Sequence, residues 1–262
     1  MPEPPYPPNF YYRQINILKS YCKSHSISWV VTYPNDVLGF VQGNFMNLAN
    51  AVALYASVHC ELGGEKGQLP FPGAERFYTG VTMFTDAELH ARFCSWAALE
   101  PRAGNEAFNV VNGDADSWQD LWPRLAKYFG LSVPKGQFEQ LAPMASKTDL
   151  HPQVPISVEA DKIGLSGRVS QSHLDQRIDL VKWAQDKEVQ QAWKRLAERE
   201  GLDAEALSKA SWAFAGFVLG RDYDIVLSMA KARKLGWEGY IDTWESFEKS
   251  FAQLKQARVI PR

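Results

Sequence analysis

The sequence predicts an α/β fold. Two runs rich in β-branched and aromatic residues, from Ile27 to Tyr33 and from Ala107 to Val111, are typical of strands. Segments in which apolar residues recur at helical spacing lie before, between and after them. Such an alternation is typical of a sheet with helices packed against it. We therefore expect a half-sheet with strands at about Ser28 to Tyr33 and Ala107 to Val111, followed by a mostly helical C-terminal region.

The first elements follow from their apolar patterns. Ile15, Leu18, Tyr21 and Cys22 recur at helical spacing and predict a helix from about Tyr11 to Ser24. The first strand ends at Pro34, and the chain leaves the sheet through the segment PNDVLGF. The next segment, residues 43–62, is apolar nearly all round, so we expect a helix that is buried on most sides.

Capping residues place the next two helices. Thr85 and Asp86 precede the segment AELHARFCSWAALE, which predicts a helix that ends before Pro101. Residues 106–130 contain a strand, a Gly-Asp turn, a helix capped by Ser117 and a stop at Gly130. This order is one β-to-α step of an α/β sheet.

The second half of the chain looks different. From Leu131 to about Ser170 it is irregular and contains several prolines, and we interpret this segment as an inserted cap and not as sheet. A charged helix is predicted from Leu174 to Glu200, and Ala204 to Met229 is too apolar to lie at the surface. The end of the chain predicts a helix, a turn through Gly236 and Gly239, and a last amphipathic helix.

Composition excludes several classes of function. The 262 residues include 28 Lys and Arg against 30 Asp and Glu, and no long block of either sign suggests a nucleic-acid partner. The long uncharged run after Val37 is interrupted by Asn44, Asn47 and Asn50, which favours a buried helix over a membrane span. The histidines and cysteines show no ligand spacing, so no metal site is expected. Three cysteines far apart in the sequence favour reduced thiols in the cytoplasm.

Several short motifs occur in a fixed order along the chain: NFYY, PNDVLGF, FMN, FPG, WAALEP, NEAFNVVNGD and SMAKARKLGW. In this order they resemble the C-terminal two thirds of the progesterone 5β-reductase/iridoid synthase family, atypical extended short-chain dehydrogenases/reductases. The resemblance implies the C-terminal part of a Rossmann-like fold. It divides the chain into residues 1–130, the second half of the core with interleaved substrate-region helices, and residues 131–262, a mostly helical cap and substrate region.

The resemblance also implies roles for individual residues. One tyrosine of NFYY is the catalytic tyrosine of the family, which implies Tyr11 or Tyr12 without deciding between them. Pro34, Asp36 and Val37 are implied to line the nicotinamide. The family has a neutral residue where Asp36 stands, and a carboxylate beside the nicotinamide favours its oxidised, positively charged ring, which would weaken hydride donation.

Two further residues, Met46 and Phe214, match substrate-pocket positions of the family, where an apolar enone binds. Plain core packing is the alternative explanation for both. For the tyrosine pair, the alternative is that both rings are buried in a helix interface. The catalytic hypothesis predicts instead that a hydroxyl of Tyr11 or Tyr12 opens into one cavity with Asp36, Met46 and Phe214.

The cofactor that the resemblance implies is NADP, but a dinucleotide-binding half needs a glycine-rich turn followed by a helix N-terminus. No G-x-G-x-x-G motif occurs in the sequence. We therefore expect the chain alone to bind NADP(H) weakly or not at all. A half-sheet also leaves a strand edge open, which favours a homo-oligomer.

Three functions are compatible with these observations. The first is NADPH-dependent reduction of an enone or another small apolar carbonyl compound, impaired here because the cofactor half is missing. The second is a non-redox homologue that binds a small ligand. The third is a redox-neutral isomerase or cyclase that uses the pocket and the tyrosine.

Overall fold

The computed structural model describes residues 10–41, 46–139, 144–149, 159–165 and 173–262. The N-terminal part contains α1 (Phe10–Ser24), β1 (Val30–Pro34), β2 (Val37–Leu38), α2 (Leu48–Gly63), α3 (Glu75–Thr79), β3 (Thr85–Asp86), α4 (Ala87–Leu99), β4 (Glu106–Val110) and α5 (Trp118–Tyr128). The C-terminal part contains β5 (Ser146–Asp149), β6 (His173–Gln176), α6 (Leu180–Gln185), α7 (Lys187–Glu200), α8 (Ala206–Lys209), α9 (Trp212–Leu219), α10 (Ala230–Lys234) and α11 (Thr243–Gln256).

The two predicted strands pair with each other. Strand β1 runs parallel to β4, with Val30 opposite Glu106 and Pro34 opposite Val110. A parallel pair needs a crossover connection, and helices α2 to α4 provide it. Strands β2 and β3 add a second short parallel pair just beyond the carboxyl end of β1. The predicted α/β class is confirmed.

The predicted helices of the N-terminal part are present. Asn47 caps α2 by accepting a hydrogen bond from the amide of Asn50, so the helix begins later than the predicted run from residue 43, of which residues 43–45 lie outside the described residues. The side chains of α2 are buried from Leu48 to Val58 except for the half-buried Asn50, as predicted for a helix surrounded by protein.

Both predicted caps are observed. Asp86 accepts hydrogen bonds from the amides of Glu88 and Leu89 at the start of α4. Ser117 accepts one from the amide of Asp120 at the start of α5. Gly130 follows α5 with a φ of 72°, a conformation that glycine adopts without strain.

The main hydrophobic core surrounds α2 and α5. Edge-to-face aromatic contacts in it include Phe71 on Trp122, with ring centroids 5.0 Å apart, and Phe84 on Trp118 at 5.6 Å. The core continues into α11 through Phe247. It therefore contains side chains from both sides of position 130, and the predicted division of the chain at that residue stays a prediction.

One prediction for the second half of the chain is wrong. The segment interpreted as an irregular cap contains strand β5, which pairs antiparallel with β6 so that Ser146 lies opposite Gln176. The residues of β5, SKTD, lack the apolar alternation by which a half-buried strand is recognised, since three of the four are exposed. Long-range backbone pairing, which the local sequence does not encode, forms this hairpin.

The predicted single helix from Leu174 to Glu200 is also wrong at its start. His173–Gln176 is a strand, and the helical part is divided into α6 and α7 at Asp186. Asp186 has extended backbone angles (φ −62°, ψ 138°), and its carboxylate accepts hydrogen bonds from the amides of Glu188 and Val189. An N-cap of this kind begins a new helix, so the charged run cannot continue as one.

The remaining elements agree with the sequence. Helix α9 lies within the apolar segment Ala204 to Met229, and Gly236, with a φ of 97°, makes the predicted turn between α10 and α11. Among the described residues, no helix is both long enough and apolar enough to cross a membrane.

Candidate active site

The carboxyl ends of β1 and β4 form the edge at which a parallel α/β sheet places its ligands. The turn after β1 is fixed at this edge by Asn35. Its amide donates to Thr85 Oγ1 at 2.9 Å, and its Nδ2 donates to the carbonyl oxygen of Met83 at 2.5 Å. The Thr85 hydroxyl in turn donates to the carbonyl oxygen of Val110, the last residue of β4, at 2.6 Å. This network holds the next residue, Asp36, in a left-handed conformation with a φ of 32°.

Asp36 forms a buried ion pair with Arg221. Arg221 Nη1 lies 2.5 Å from Asp36 Oδ2 and Nη2 lies 2.9 Å from Oδ1, so the two side chains meet in a bidentate geometry. The side chains are only 4% and 7% exposed. The guanidinium also lies over the rings of Phe77 and Phe217, at 5.7 and 5.2 Å from their centroids. These contacts join the turn after β1 to the end of α9.

The ion pair changes the expectation for Asp36. That expectation assumed a carboxylate without a compensating charge, which would favour an oxidised nicotinamide. Arg221 supplies the opposite charge at contact distance, so the pair as a whole is close to neutral. The physical basis for weakened hydride donation is therefore removed.

A close backbone approach positions Arg221 at the end of α9. The amide of Ala74 donates to the carbonyl oxygen of Leu219 at 3.0 Å. A Cβ atom on Gly73 would lie 2.0 Å from that same oxygen, so only glycine fits there. The motif FPG thus holds α9 against the core, two residues before the arginine that reaches Asp36.

The two predicted substrate-side residues lie on neighbouring segments. Met46 is 44% exposed and stands next to Asn47, whose amide donates to Ser211 Oγ at 3.3 Å, just before α9. Phe214 lies in the first turn of α9 and packs against the main core. Helix α9 thus reaches both predicted parts of the site. Phe214, near its start, belongs to the predicted substrate side, and Arg221, just after its end, contacts Asp36 on the predicted cofactor side.

The predicted catalytic tyrosines lie in the first turn of α1. Tyr11 is 56% exposed and its ring contacts that of Phe10, with centroids 4.1 Å apart, whereas Tyr12 is half-buried. The alternative in which both rings are buried in a helix interface does not hold for Tyr11. The predicted shared cavity with Asp36, Met46 and Phe214 stays a prediction.

Sequence reasoning missed Arg221 and its neighbour Tyr223. Burial raises the pKa of the Tyr223 hydroxyl, while Arg221 opposes that shift through its charge and a hydrogen bond. The signal was present as the polar run RDYD, residues 221–224, directly after the apolar helix SWAFAGFVLG. Charged residues at the end of a buried helix need partners, because an unpaired buried charge is costly. Only the fold shows that the partner of Arg221 is Asp36, 185 residues earlier in the chain.

The described residues fit one end of the implied cofactor. Pro34, Asp36 and Val37 stand at the sheet edge where a nicotinamide would lie, and Arg221 Nε is a buried donor without a hydrogen-bond partner among the described residues. A glycine-rich turn for the pyrophosphate is not present in the sequence. Within the described ranges, no cluster of three or more His, Cys, Asp or Glu side chains could hold a metal ion.

Comparison with known proteins shows the family of this chain. The sequence model of the PRISE-like Rossmann-fold domain matches residues 1–175. The chain belongs to this family. The PRISE-like chain is 39% identical to an uncharacterized protein of Schizosaccharomyces pombe over 97% of its own length and 62% of that relative.

Two further relatives have descriptive names. The PRISE-like chain is 30% identical to the short chain dehydrogenase gsfE of Penicillium aethiopicum, over 97% of its own length and 60% of that protein. It is also 30% identical to the (S)-8-oxocitronellyl enol synthase ISY1 of Nepeta racemosa, over 97% and 55%. The chain thus spans somewhat more than half the length of these relatives, and the family is one of short-chain dehydrogenase/reductase-like oxidoreductases.

Proposed function

We propose that this chain forms the substrate side of an NADPH-dependent oxidoreductase that reduces an enone or another small apolar carbonyl compound. The observation that carries the proposal is the site at the carboxyl end of β1, where the buried Asp36–Arg221 pair meets the ring of Phe217 on α9. The relatives support it, because one is named a dehydrogenase and another an enol synthase. An enol is the expected first product when hydride adds to the carbon β to a carbonyl.

In this proposal each group has a separate task. When bound, NADPH would supply the hydride. Pro34, Asp36 and Val37 would face the nicotinamide, while Met46 and Phe214 would contact the apolar substrate. The hydroxyl of Tyr11 or Tyr12 donates a hydrogen bond to the oxygen on which enolate charge develops, which lowers the barrier only where that charge appears.

The nucleotide is the first test. We expect calorimetric titration of the purified chain with NADPH to show weak binding or none, because the sequence lacks the glycine-rich turn. Micromolar affinity, worth about 8 kcal/mol, would contradict this expectation. It would mean that another surface of the chain binds the phosphates.

The tyrosines are the second test. It needs an enzyme that turns over, which can be made by placing the dinucleotide-binding half of a relative before this chain. Phe at the true donor, as Tyr11→Phe or Tyr12→Phe, should lower kcat for NADPH oxidation with an enone by roughly 10²-fold, since one oxyanion donor is worth about 3 kcal/mol. Tyr21→Phe, on the same helix, is the matched control. If both variants keep full turnover, the tyrosine assignment fails.

A chimera that binds NADPH and reduces no enone would instead favour the alternatives, a non-redox ligand-binding homologue or a redox-neutral isomerase or cyclase. Those alternatives predict that apolar carbonyl compounds bind without any change in NADPH absorbance. We also propose a cytoplasmic location, since all three cysteines are free thiols.

A further inference from the structure

A cavity of about 290 Å³ opens between α2, α5, α7 and α11. Its lining includes Cys60 of α2, Tyr128 of α5 with the adjacent Phe129, Leu196 of α7 and Lys255 of α11. The cavity is separate from the candidate active site. Asn47 caps the start of α2 beside α9, whereas Cys60 lies near the other end of the helix, about 20 Å away along its axis.

The wall of this cavity between α2 and α5 is apolar and uncharged. The rings of Tyr128 and Phe129 meet in a T-shaped arrangement, with centroids 5.2 Å apart. The Cys60 thiol donates to the carbonyl oxygen of Phe129 at 2.9 Å, and burial raises the pKa of this thiol to about 11. Cys60 therefore stays protonated at neutral pH and contributes apolar surface to the wall, not charge.

The two acidic side chains at the cavity, Glu61 and Glu200, are both paired with arginines. Glu61 Oε2 lies 2.8 Å from Arg199 Nη2, and Glu61 Oε1 lies 3.5 Å from Arg195 Nε. Arg199 Nε also lies 3.0 Å from Glu200 Oε1. Hydrogen bonds and charge from Arg199, and then from Arg195, lower the pKa of Glu61. The two arginines thus compensate the two glutamates.

Lys255 is a half-buried cation at the same cavity, and it makes no ion pair with any residue that the structure describes. Its ammonium lies 4.5 Å from the centroid of the Tyr128 ring, so a cation–π contact compensates for part of its lost hydration. An ammonium has three N–H donors, and the ring occupies only one side of it. An anionic oxygen in the cavity would complete the compensation.

These features together favour a ligand with an apolar body and one negative charge. The volume is close to the lower limit for pockets that hold small molecules, and it is too small for a dinucleotide. We propose that the cavity binds a small aromatic or branched carboxylate. Its carboxylate contacts Lys255 Nζ, and its apolar body packs against Tyr128, Phe129 and Leu196. This binding does not depend on the proposed enzymatic function.

Fluorine NMR tests the site on the purified chain with a defined probe, para-fluorophenylacetate. We expect the protein to broaden the probe signal with a Kd of about 1 mM or tighter. The neutral para-fluorophenylacetamide has the same ring and nearly the same shape. It should bind about tenfold more weakly or worse, because it cannot form a charge-assisted hydrogen bond with Lys255. Equal affinity for the two probes, or no binding of the acetate at about 10 mM, would overturn the proposal.

Variants of Lys255 test where the probe binds. Lys255→Gln should weaken binding of para-fluorophenylacetate about tenfold or more, whereas Lys255→Arg, which keeps the cation, should stay within about threefold of the wild type. Lys194→Gln is the matched control, because Lys194 is exposed on α7, outside the cavity, and pairs with Glu198 at 3.9 Å. It should leave the affinity unchanged.

Circular dichroism of each variant checks that it remains folded. If Lys255→Gln binds the probe as tightly as the wild type, the probe occupies another surface and the proposal fails. An equal loss of affinity in Lys255→Gln and Lys194→Gln would also refute it, since the net charge of the protein, and not the cavity, would then determine binding.

Discussion

The Asp36–Arg221 pair shows how much one contact depends on its surroundings. Both side chains are almost fully buried, so each loses its hydration on folding. The bidentate geometry compensates for part of that loss, and the rings of Phe77 and Phe217 contribute cation–π contacts. Either charge without the other would be strongly destabilising. The two residues therefore act as a unit.

Removing one partner should reveal this dependence. We expect Arg221→Met to lower the free energy of unfolding by about 3–5 kcal/mol, because Asp36 would be left buried and uncompensated. Adding Asp36→Asn to that variant should recover most of the loss. Glu205→Gln, which breaks an exposed pair with Lys209, is the control and should cost under about 1 kcal/mol. Urea unfolding measures all of these, and equal losses from Arg221→Met and Glu205→Gln would contradict a buried pair.

His59 is a half-buried histidine near the end of α2. Its ring stacks on Trp183, with planes 2° apart, and contacts Tyr55 at 4.4 Å. Its Nε2 has no hydrogen-bond partner among the described residues. Burial lowers the pKa of His59 from 6.5 to about 4, although a backbone hydrogen bond at Gln68 acts in the opposite direction. The folded protein therefore keeps this histidine neutral.

This shift predicts a loss of stability in acid. Between pH 6.5 and about 4 the unfolded chain binds a proton at His59 that the folded chain does not, so the free energy of unfolding falls as the pH falls. The loss reaches about 3 kcal/mol near pH 4 and levels off just below it. Urea unfolding of His59→Phe over this range should lack that part of the pH dependence. His25→Phe, at an exposed site, should keep it, and identical profiles for wild type and His59→Phe would refute the assignment.

At the scale of elements, side-chain caps decide where helices begin. Asp179 caps α6 through the amides of Val181 and Lys182, and Asp186 caps α7 in the same way only seven residues later. These two N-caps divide the charged segment into two helices, although its apolar spacing alone predicts one. The apolar period identifies a helix but does not mark a break within it.

The cap at Asp186 can be tested directly. We expect Asp186→Ala to lower the free energy of unfolding by about 1 kcal/mol, because two amides at the start of α7 lose their acceptor. Asp186→Asn retains a side-chain oxygen and should cost only a small part of that. Thermal or urea unfolding compares the two variants. An Asn variant as unstable as the Ala variant would show that charge, and not capping, is what matters there.

At the scale of the whole molecule, the core connects distant parts of the chain. Leu38 near the sheet edge and Phe251 in the last helix belong to the same buried cluster. Helix α9 contributes Ala215 and Val218 to that cluster, and Arg221, two residues after its end, contacts Asp36 at the candidate site. Packing of α9 in the core therefore also positions Arg221 at the candidate site.

The sequence by itself determined the local elements of this protein. Apolar periodicity predicted α1 and α2, runs of β-branched and aromatic residues predicted the strands β1 and β4, and capping residues predicted the starts of α4 and α5. The order of short motifs along the chain was enough to indicate the family. Signals of this kind lie within a few turns of chain, where spacing and capping act directly on the backbone.

Only the tertiary structure decided which distant residues meet. The hairpin of β5 and β6 forms by backbone pairing between segments without apolar alternation. Asp36 meets Arg221 because Gly73 lets α9 approach the core closely, and no local pattern contains that distance. The sequence alone predicted a carboxylate without a compensating charge at Asp36, whereas Arg221 supplies the opposite charge. A pairing of charges depends on three-dimensional proximity, which the sequence specifies only through the whole fold.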